Sequence, residues 1–152
     1  VLMQIIQNNP KHASAVIIYF KEKILLVLRS NNKKIFYPNH YGLFGGAKEK
    51  NETYLGAAKR ELLEETNINI LKQDIKYLLD INFSFPNSKL INRKIYTYQI
   101  NDLNKFKKFF ILGEGVSQKF FTYNQIKNLS NIVPYDKLAI DLFFARKIKF
   151  QK

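Results

Sequence analysis

The 152-residue sequence predicts one domain of mixed α/β (α+β) class, with strands on both sides of a central amphipathic helix. Two apolar runs rich in β-branched residues stand near the start, and a segment with helical periodicity follows them. With 46% hydrophobic and 24% charged residues, the composition is that of a globular protein. The chain carries no internal repeat or linker, so we expect a single domain over residues 1–152.

The first elements form a predicted hairpin that leads into a glycine-rich segment. Residues 13–19 and 23–29 predict neighbouring strands, and residues 20–22 suit the turn between them. Residues 30–41 are polar, contain a proline and predict a loop. Residues 42–46 include three glycines, so the backbone must turn there or approach another group closely.

The central helix is predicted over residues 52–66. Leu55, Ala58 and Leu62 recur at three- and four-residue steps and make one apolar stripe. Asn67 follows, and asparagine tolerates the left-handed conformation in which many helices end.

The remainder of the chain predicts strands at 75–85 and 93–100, and helices at 122–129 and 134–147. Pro134 suits the first turn of the last helix. We expect its apolar residues to pack in the core, namely Leu138, Leu142, Ala145 and the pair Phe143 and Phe144.

The net charge of +13 bears on which partners the protein meets. Of the 25 basic residues, 21 are lysine, and they are scattered along the chain with no long basic run. This pattern favours compositional drift over a dedicated nucleic-acid surface, which stays open as an alternative. In either case the charge attracts small anions.

Several classes of protein are disfavoured by what the sequence lacks. It has no cysteine, which excludes disulfides, thiolate metal sites and a cysteine nucleophile. No apolar run is long enough to span a membrane, and residues 1–10 do not read as a secretion signal. We therefore expect a cytoplasmic protein without a membrane partner.

The acidic residues are concentrated in the central helix. Four of the seven glutamates lie between residues 52 and 65. Glu61, Glu64 and Glu65 share one helical face about 100° wide, where like charges repel. Divalent cations such as magnesium and manganese would stabilise such a face. The alternative is a solvated acidic face paired with nearby lysines.

The spacing around this cluster resembles the Nudix box. Gly46, five residues, Glu52, seven residues and then Arg-Glu-Leu-Leu-Glu-Glu-Thr-Asn-Ile at 60–68 follow the family pattern at every charged position. Asn67 replaces the usual glycine near the end, and Phe-Gly-Gly at 44–46 replaces Pro-Gly-Gly. The resemblance implies an α/β/α sandwich with a mixed sheet between helices, covering residues 13 to 147.

The resemblance also implies a site for Mg²⁺ or Mn²⁺. Glu61, Glu64 and Glu65 are the expected carboxylate ligands, assisted by the backbone carbonyl of Gly46. Arg60 and Glu52 form the expected supporting pair, because a guanidinium can hold carboxylates in a fixed fork. Glu61, Glu64 and Arg60 are therefore expected to act in catalysis.

A general base is harder to place. In the family it is in some members a glutamate of the box helix and in others a glutamate on a downstream loop. Glu114 is the one glutamate after the box, and its flanking glycines suit a mobile loop. The alternative is a turn residue without a catalytic role.

Four residues are candidates for binding substrate. Arg29 stands at the end of the second predicted strand, where family members often place an arginine near phosphate. His40 and Tyr41 precede the glycine segment and are candidates for contacting a base or sugar, and Phe44 lies within that segment. Simple solvation of Arg29 and a loop-surface position for His40 and Tyr41 are the alternatives.

The expected function is metal-dependent hydrolysis of a pyrophosphate bond in a nucleoside diphosphate linked to another moiety, releasing a nucleoside monophosphate. A nucleotide sugar or a nucleoside triphosphate is the favoured small-molecule substrate. The alternatives are hydrolysis at RNA 5′ ends and a non-catalytic nucleotide-binding module. The protein is expected to be a monomer or a homodimer.

Overall fold

A computed structural model describes residues 11–71, 74–86, 89–113 and 115–150, with side chains to residue 146. The strands within these residues are β1 (Lys11–Phe20), β2 (Lys23–Leu28), β3 (Tyr41–Gly42), β4 (Phe44–Ala47), β5 (Ile75–Phe83), β6 (Ile91–Gln99) and β7 (Ser117–Thr122). The helices are α1 (Tyr54–Thr66), α2 (Leu103–Phe109), α3 (Tyr123–Lys127) and α4 (Pro134–Phe150). This content confirms the predicted mixed class.

The strands form one mixed sheet in the order β3-β2-β1-β6-β5, with β4 on β1 and β7 on β2. Strands β1 and β6 pair in parallel, and the other pairs are antiparallel. Helices α1 and α2 pack on one face of the sheet, and α3 and α4 pack on the other. The predicted sheet between helices is therefore confirmed.

Strand β1 lies at the centre of the fold and is buried on both faces. Ala15 and Ile17 belong to the apolar cluster beneath α3 and α4. Val16 and Ile18 belong to the cluster beneath α1 and α2. Because alternate side chains enter different clusters, residues 15–18 form a continuous apolar run without polar positions between.

Strands β1 and β2 pair only near their hairpin and then separate. Strand β3 pairs with β2 through Val27 and Gly42, and β4 pairs with β1 from Ala13 to Val16. The chain crosses from one strand to the other at Leu43. The Leu43 amide donates to the buried Asp136 carboxylate, with an N–O distance of 3.0 Å. This crossing brings the glycines of β4 against β1.

Helix α1 begins and ends at residues that satisfy its backbone. The Thr53 hydroxyl accepts a hydrogen bond from the Gly56 amide, so the helix begins two residues later than predicted, and Glu52 precedes it. Asn67 has φ of 60° and donates its amide to the Leu63 carbonyl, as expected for a left-handed end. Within the predicted apolar stripe, Ala58 and Leu62 are buried.

The prediction of which α4 residues pack in the core is wrong in part. Leu138, Leu142 and Ala145 are exposed, whereas Ala139, Ile140 and Phe143 are buried. The helix carries apolar residues on most of its circumference, so its periodicity does not identify the buried side. Among the described helices, none is both long and apolar enough to cross a membrane.

Four elements were not predicted: the short strands β3 and β4 of the glycine segment, helix α2 and strand β7. Helix α2 is only seven residues long, and its start depends on the Asp102 carboxylate, which accepts a hydrogen bond from the Lys105 amide. Strand β7 has only two apolar residues, Phe120 and Phe121, and it forms because β2 offers a full partner from Lys23 to Leu28.

Candidate active site

The three carboxylates of α1 lie on one side of the helix but in different environments. The Glu65 side chain is buried, and its Oε2 accepts a hydrogen bond from the Gly45 amide at 3.0 Å. The Glu61 side chain is 15% exposed and lies against Gly46. The Glu64 side chain is 57% exposed. Two of these carboxylates are therefore held by the glycine segment, and one faces solvent.

The two glycines of β4 allow the backbone to approach β1 and α1. A Cβ atom at Gly46 would lie 2.5 Å from Glu61 Oε1, which is far inside van der Waals contact. Gly45 has φ of 146°, and a Cβ atom there would lie 2.2 Å from the Ser14 carbonyl oxygen. Any larger residue at either position would displace the strand or the carboxylate.

Arg60 pairs with Glu52, which lies before the start of helix α1. Its Nε and Nη2 donate to the two oxygens of Glu52 at 2.7 and 3.0 Å, and Nη2 also donates to the Ala47 carbonyl at 3.0 Å. The hydrogen bond from Arg60, supported by one from the Glu49 amide, lowers the pKa of Glu52 to about 2. The same pairing raises the pKa of Arg60.

The remaining nitrogen of Arg60 lies between two carboxylates of α1. Nη1 is 2.9 Å from Glu61 Oε1 and 3.4 Å from Glu64 Oε2. These carboxylates thus share one cationic group, and their oxygens are the donors that magnesium and manganese prefer. Within the described residues, no three acidic or histidine side chains converge as a ready-made metal site. The donor set fits a hard divalent ion once the exposed Glu64 side chain turns toward it.

A cleft of about 350 Å³ lies beside this cluster. It is lined by Val27, Arg29, Ser30, Ile35, Leu43, Gly45, Glu65, Gly113 and Gly115. A larger cavity of about 500 Å³ between the end of α1 and α2 includes none of the predicted site residues that the structure describes. The smaller cleft is the better candidate site because it brings Arg29 and Glu65 together.

Glu114 itself lies outside the described residues, but both of its neighbours line the cleft. The Gly113 amide donates to the Glu65 carbonyl at 2.8 Å, and a Cβ atom at Gly113 would lie 2.1 Å from the Glu64 carbonyl oxygen. Gly115 has φ of 88° and packs against Val27. The backbone is therefore fitted closely against α1 and β2 on both sides of residue 114.

The four candidates for substrate binding lie in different positions relative to the cleft. Arg29 lines the cleft, and its Nε donates to the Phe36 carbonyl at 2.9 Å. His40 is not among the lining residues, and its Nδ1 lies 2.8 Å from the Pro38 carbonyl oxygen.

The other two candidates pack toward the core. The Tyr41 ring contacts Phe121, with ring centroids 4.9 Å apart, and does not line the cleft. The prediction that Phe44 contacts substrate is wrong, because its side chain is 0% exposed and packs between the sheet and α1. Position in the glycine segment alone does not show on which face a side chain lies.

Sequence reasoning missed a buried ion pair that supports the cleft. Arg93 of β6 pairs with Asp136 in the first turn of α4, and Asp136 also accepts the Leu43 amide. The three residues are far apart in the sequence and carry no common motif. The pair fixes the crossing between β3 and β4, next to the glycines that contact α1.

An aromatic cluster beside Arg29 was also missed. It consists of Phe36 and Tyr37 from the loop before β3, Phe83 and Phe85 from the end of β5, and Tyr135 of α4. Phe83 stacks on Tyr135 at 4.6 Å between centroids, and Phe36 stacks on Phe85 at 6.1 Å. Burial raises the pKa of Tyr135. In the sequence, the pair Phe83 and Phe85 was the one feature that indicated this cluster.

Comparison with known families agrees with the geometry. The family model described as NUDIX domain matches residues 9–143, which is most of the chain. The chain therefore belongs to the Nudix family, and its enzyme class is pyrophosphohydrolase. No curated protein sequence matches it.

Several solved structures share the fold at low sequence identity. A MutT protein from Methanosarcina mazei Go1 has a TM-score of 0.73 at 18% identity, covering 95% of this chain and 98% of that one. The NUDIX domain of Shewanella oneidensis NrtR, complexed with ADP ribose, has 0.72 at 16%, covering 91% and 88%. A bifunctional NMN adenylyltransferase/ADP ribose pyrophosphatase from Francisella tularensis, with AMP and a manganese ion, has 0.66 at 19%, covering 91% and 42%.

Proposed function

We propose that this chain uses Mg²⁺ or Mn²⁺ to hydrolyse a pyrophosphate bond in a nucleoside diphosphate linked to another moiety, releasing a nucleoside monophosphate. One observation carries the proposal: Glu65 of α1 meets Gly45 of β4 at a cleft that also contains Arg29, and Glu61 lies against the adjacent Gly46. An anionic substrate needs both a cation site and a fixed cationic side chain, and this cleft offers donors for the first and Arg29 for the second.

Glu61, Glu64 and Glu65 would hold the metal ion, with the Gly46 carbonyl assisting. A divalent ion supplies neutralisation of the diphosphate charge and a lower pKa for the attacking water. Glu65 is held by the Gly45 amide, and Glu61 is held by contact with Gly46. Two ligands are thus positioned before substrate arrives, which reduces the cost of ordering them.

Arg60 and Glu52 act as positioning residues in this proposal. The fork from Arg60 to Glu52 ties the helix to the segment before it, while Nη1 orients Glu61. Retention of all five charged box residues argues against a non-catalytic binding module.

Glu114 is the proposed general base, with a glutamate of the box helix as the alternative. Support comes from Gly113 and Gly115, which line the cleft on either side of it. A carboxylate that is not engaged by the metal ion can accept a proton from the attacking water.

The nucleoside part of the substrate is proposed to lie toward the aromatic cluster beside Arg29. Arg29 would bind a phosphate oxygen, and the exposed ring of Phe36 offers an aromatic surface next to it. The ADP ribose and AMP bound to two fold neighbours are consistent with a nucleotide of this size.

The test is a substrate panel with magnesium and with manganese, with products separated by chromatography. The panel covers nucleotide sugars, ADP-ribose, dinucleoside polyphosphates, nucleoside triphosphates and triphosphorylated RNA. Turnover of one class far above the others, with a monophosphate product, supports the proposal. No turnover of any class with either metal, by protein that binds nucleotide, would favour the binding module instead.

A further inference from the structure

Leu43 is the residue at which the chain crosses from β2 to β1, and it takes part in neither strand ladder. Strand β3 ends at Gly42, and β4 begins at Phe44. Leu43 is nonetheless buried, and a buried backbone amide needs an acceptor. That acceptor is Asp136 Oδ2 in the first turn of α4, at an N–O distance of 3.0 Å. A side chain thus supplies the hydrogen bond that neither ladder provides.

The segment that leads into α4 holds the crossing at two further points. The Tyr41 amide donates to the Asn131 carbonyl at 2.8 Å, and the Val133 amide donates to the Tyr41 carbonyl at 2.9 Å. Asp136 also fits closely against Gly42, where a Cβ atom would lie 2.9 Å from Oδ2. The position of the crossing is therefore set by the start of α4.

Asp136 is itself held by Arg93 of β6. The Asp136 side chain is 3% exposed, and its Oδ1 accepts a hydrogen bond from Arg93 Nη1. The Arg93 guanidinium lies over the Tyr135 ring, 4.9 Å from the centroid, and its backbone is opposite Ala13 in the parallel ladder of β1 and β6. Because both oxygens of this buried carboxylate are engaged, the Leu43 amide meets an acceptor with little freedom to move.

Two residues beyond the crossing, the same stretch of backbone holds a proposed metal ligand. The Gly45 amide donates to Oε2 of the buried Glu65 side chain at 3.0 Å. Leu43 and Gly45 both line the cleft. Between them stands only Phe44, whose side chain is 0% exposed. A shift of the Leu43 amide would therefore reach the Gly45 amide with little chain in between to absorb it.

We propose that Asp136 is a positioning residue for Glu65, acting through the Leu43 and Gly45 amides. The inference rests on the proposed function, since it concerns a carboxylate that would hold the metal ion. Asp136 does not line the cleft, so its effect on Glu65 passes through the backbone. Without this acceptor the Leu43 amide is left buried and unsatisfied, the crossing shifts, and Gly45 no longer holds Glu65 in one orientation.

The experiment compares two double variants that differ only in whether the Leu43 amide keeps an acceptor. Both contain Arg93→Gln, so that no largely buried guanidinium is left without its carboxylate. The second substitution is Asp136→Asn in one and Asp136→Leu in the other, and both new side chains branch at Cγ as aspartate does. Asparagine offers a carbonyl oxygen to the Leu43 amide, and leucine offers none.

Amide hydrogen exchange, followed by NMR on metal-free protein, is the main readout. The Gly45 amide keeps its own acceptor on Glu65 in both double variants. We expect it to exchange at least about tenfold faster with Asp136→Leu than with Asp136→Asn. The reference is the Ile100 amide, which donates to the Tyr19 carbonyl at 2.8 Å near the far end of β1. It should exchange at similar rates in the two proteins.

A titration with manganese in the absence of substrate connects this local change to the proposed site. Removing a partner that orients a metal ligand typically weakens metal binding about ten- to a hundredfold. We expect a loss of this size with Asp136→Leu relative to Asp136→Asn. Turnover of the preferred substrate should fall in parallel.

Failure of this inference differs from failure of the proposed function. Equal Gly45 exchange in the two double variants, or equal acceleration at Gly45 and Ile100, would overturn the positioning role whether or not nucleotides are hydrolysed. Unchanged manganese affinity despite fast Gly45 exchange would overturn it as well. A wild-type protein that binds no manganese would contradict the proposed function, and the exchange rates would still test the link from Asp136 to Gly45. Selective exchange at Gly45 together with weaker manganese binding supports the inference.

Discussion

Gly46 and Glu61 are in such close contact that the carboxylate occupies the space of a side chain at residue 46. A Cβ atom there would lie 2.5 and 2.8 Å from the two oxygens of Glu61. The glycine is thus required by the carboxylate and not by a turn, since Gly46 lies in the regular strand β4. One residue on the strand sets the position of a proposed ligand on the helix.

Substituting Gly46 tests this relationship. Gly46→Ala should push the Glu61 carboxylate away and lower turnover by about a hundredfold, the effect of a displacement near 1 Å at a reacting centre. Steady-state kinetics with the preferred substrate measure the loss. Ala47→Ser adds one atom to the adjacent exposed residue and serves as the control. Near-wild-type turnover of Gly46→Ala would show that the Glu61 position is unimportant.

The pKa of Glu52 predicts a pH dependence of stability. Because Arg60 lowers this pKa from 4.5 to about 2, the carboxylate stabilises the fold above pH 4.5 and loses that contribution as pH falls toward 2. The free energy of unfolding of the wild type should exceed that of Glu52→Gln at neutral pH, and the difference should shrink across this window. Urea unfolding at a series of pH values measures it. A difference that stays constant down to pH 2 would contradict the pairing.

Phe44 is predicted to stabilise the fold and not to bind substrate. Phe44→Ala should cost about 3–5 kcal/mol, as for a large buried aromatic residue. Phe36→Ala, at an exposed ring, is the matched control and should change stability little. Urea denaturation gives both values. A stable Phe44→Ala protein with a raised KM would contradict this and indicate that Phe44 contacts the substrate.

Glu114 is tested by the pH dependence of the rate. If it is the general base, Glu114→Gln should flatten the acid limb of the pH–rate profile and leave metal affinity nearly unchanged. Glu22→Gln, at the exposed hairpin turn, provides the control. A variant with the wild-type profile removes Glu114 from the mechanism and favours a glutamate of α1.

The parts of the fold predicted from sequence are those with strong local signals. The hairpin of β1 and β2 has continuous apolar runs, and the end of α1 has Asn67 in the conformation that asparagine tolerates. The spacing from Gly46 to residue 68 also placed the carboxylates on one helical face. Each of these signals is contained within a few turns or one strand.

The parts that were missed depend on contacts between distant segments. The exposure of Leu138 and the burial of Ile140 follow from how α4 meets the sheet, which an almost uniformly apolar helix does not encode. Likewise Asp136 is an ordinary helix-start aspartate until Arg93 is brought beside it. Phe44 was misassigned because a residue's neighbours in sequence do not show which face of the sheet it occupies.

The most direct test of the central claim is the metal-dependent turnover of Glu64→Gln. Glu64 is exposed, and its one ion pair with a described residue is the 3.4 Å contact with Arg60, so its replacement should leave the thermal midpoint almost unchanged. If α1 holds the catalytic ion, turnover should fall at least about a hundredfold, and the affinity for manganese should fall in a direct titration. Wild-type turnover in a folded Glu64→Gln protein would contradict the metal assignment.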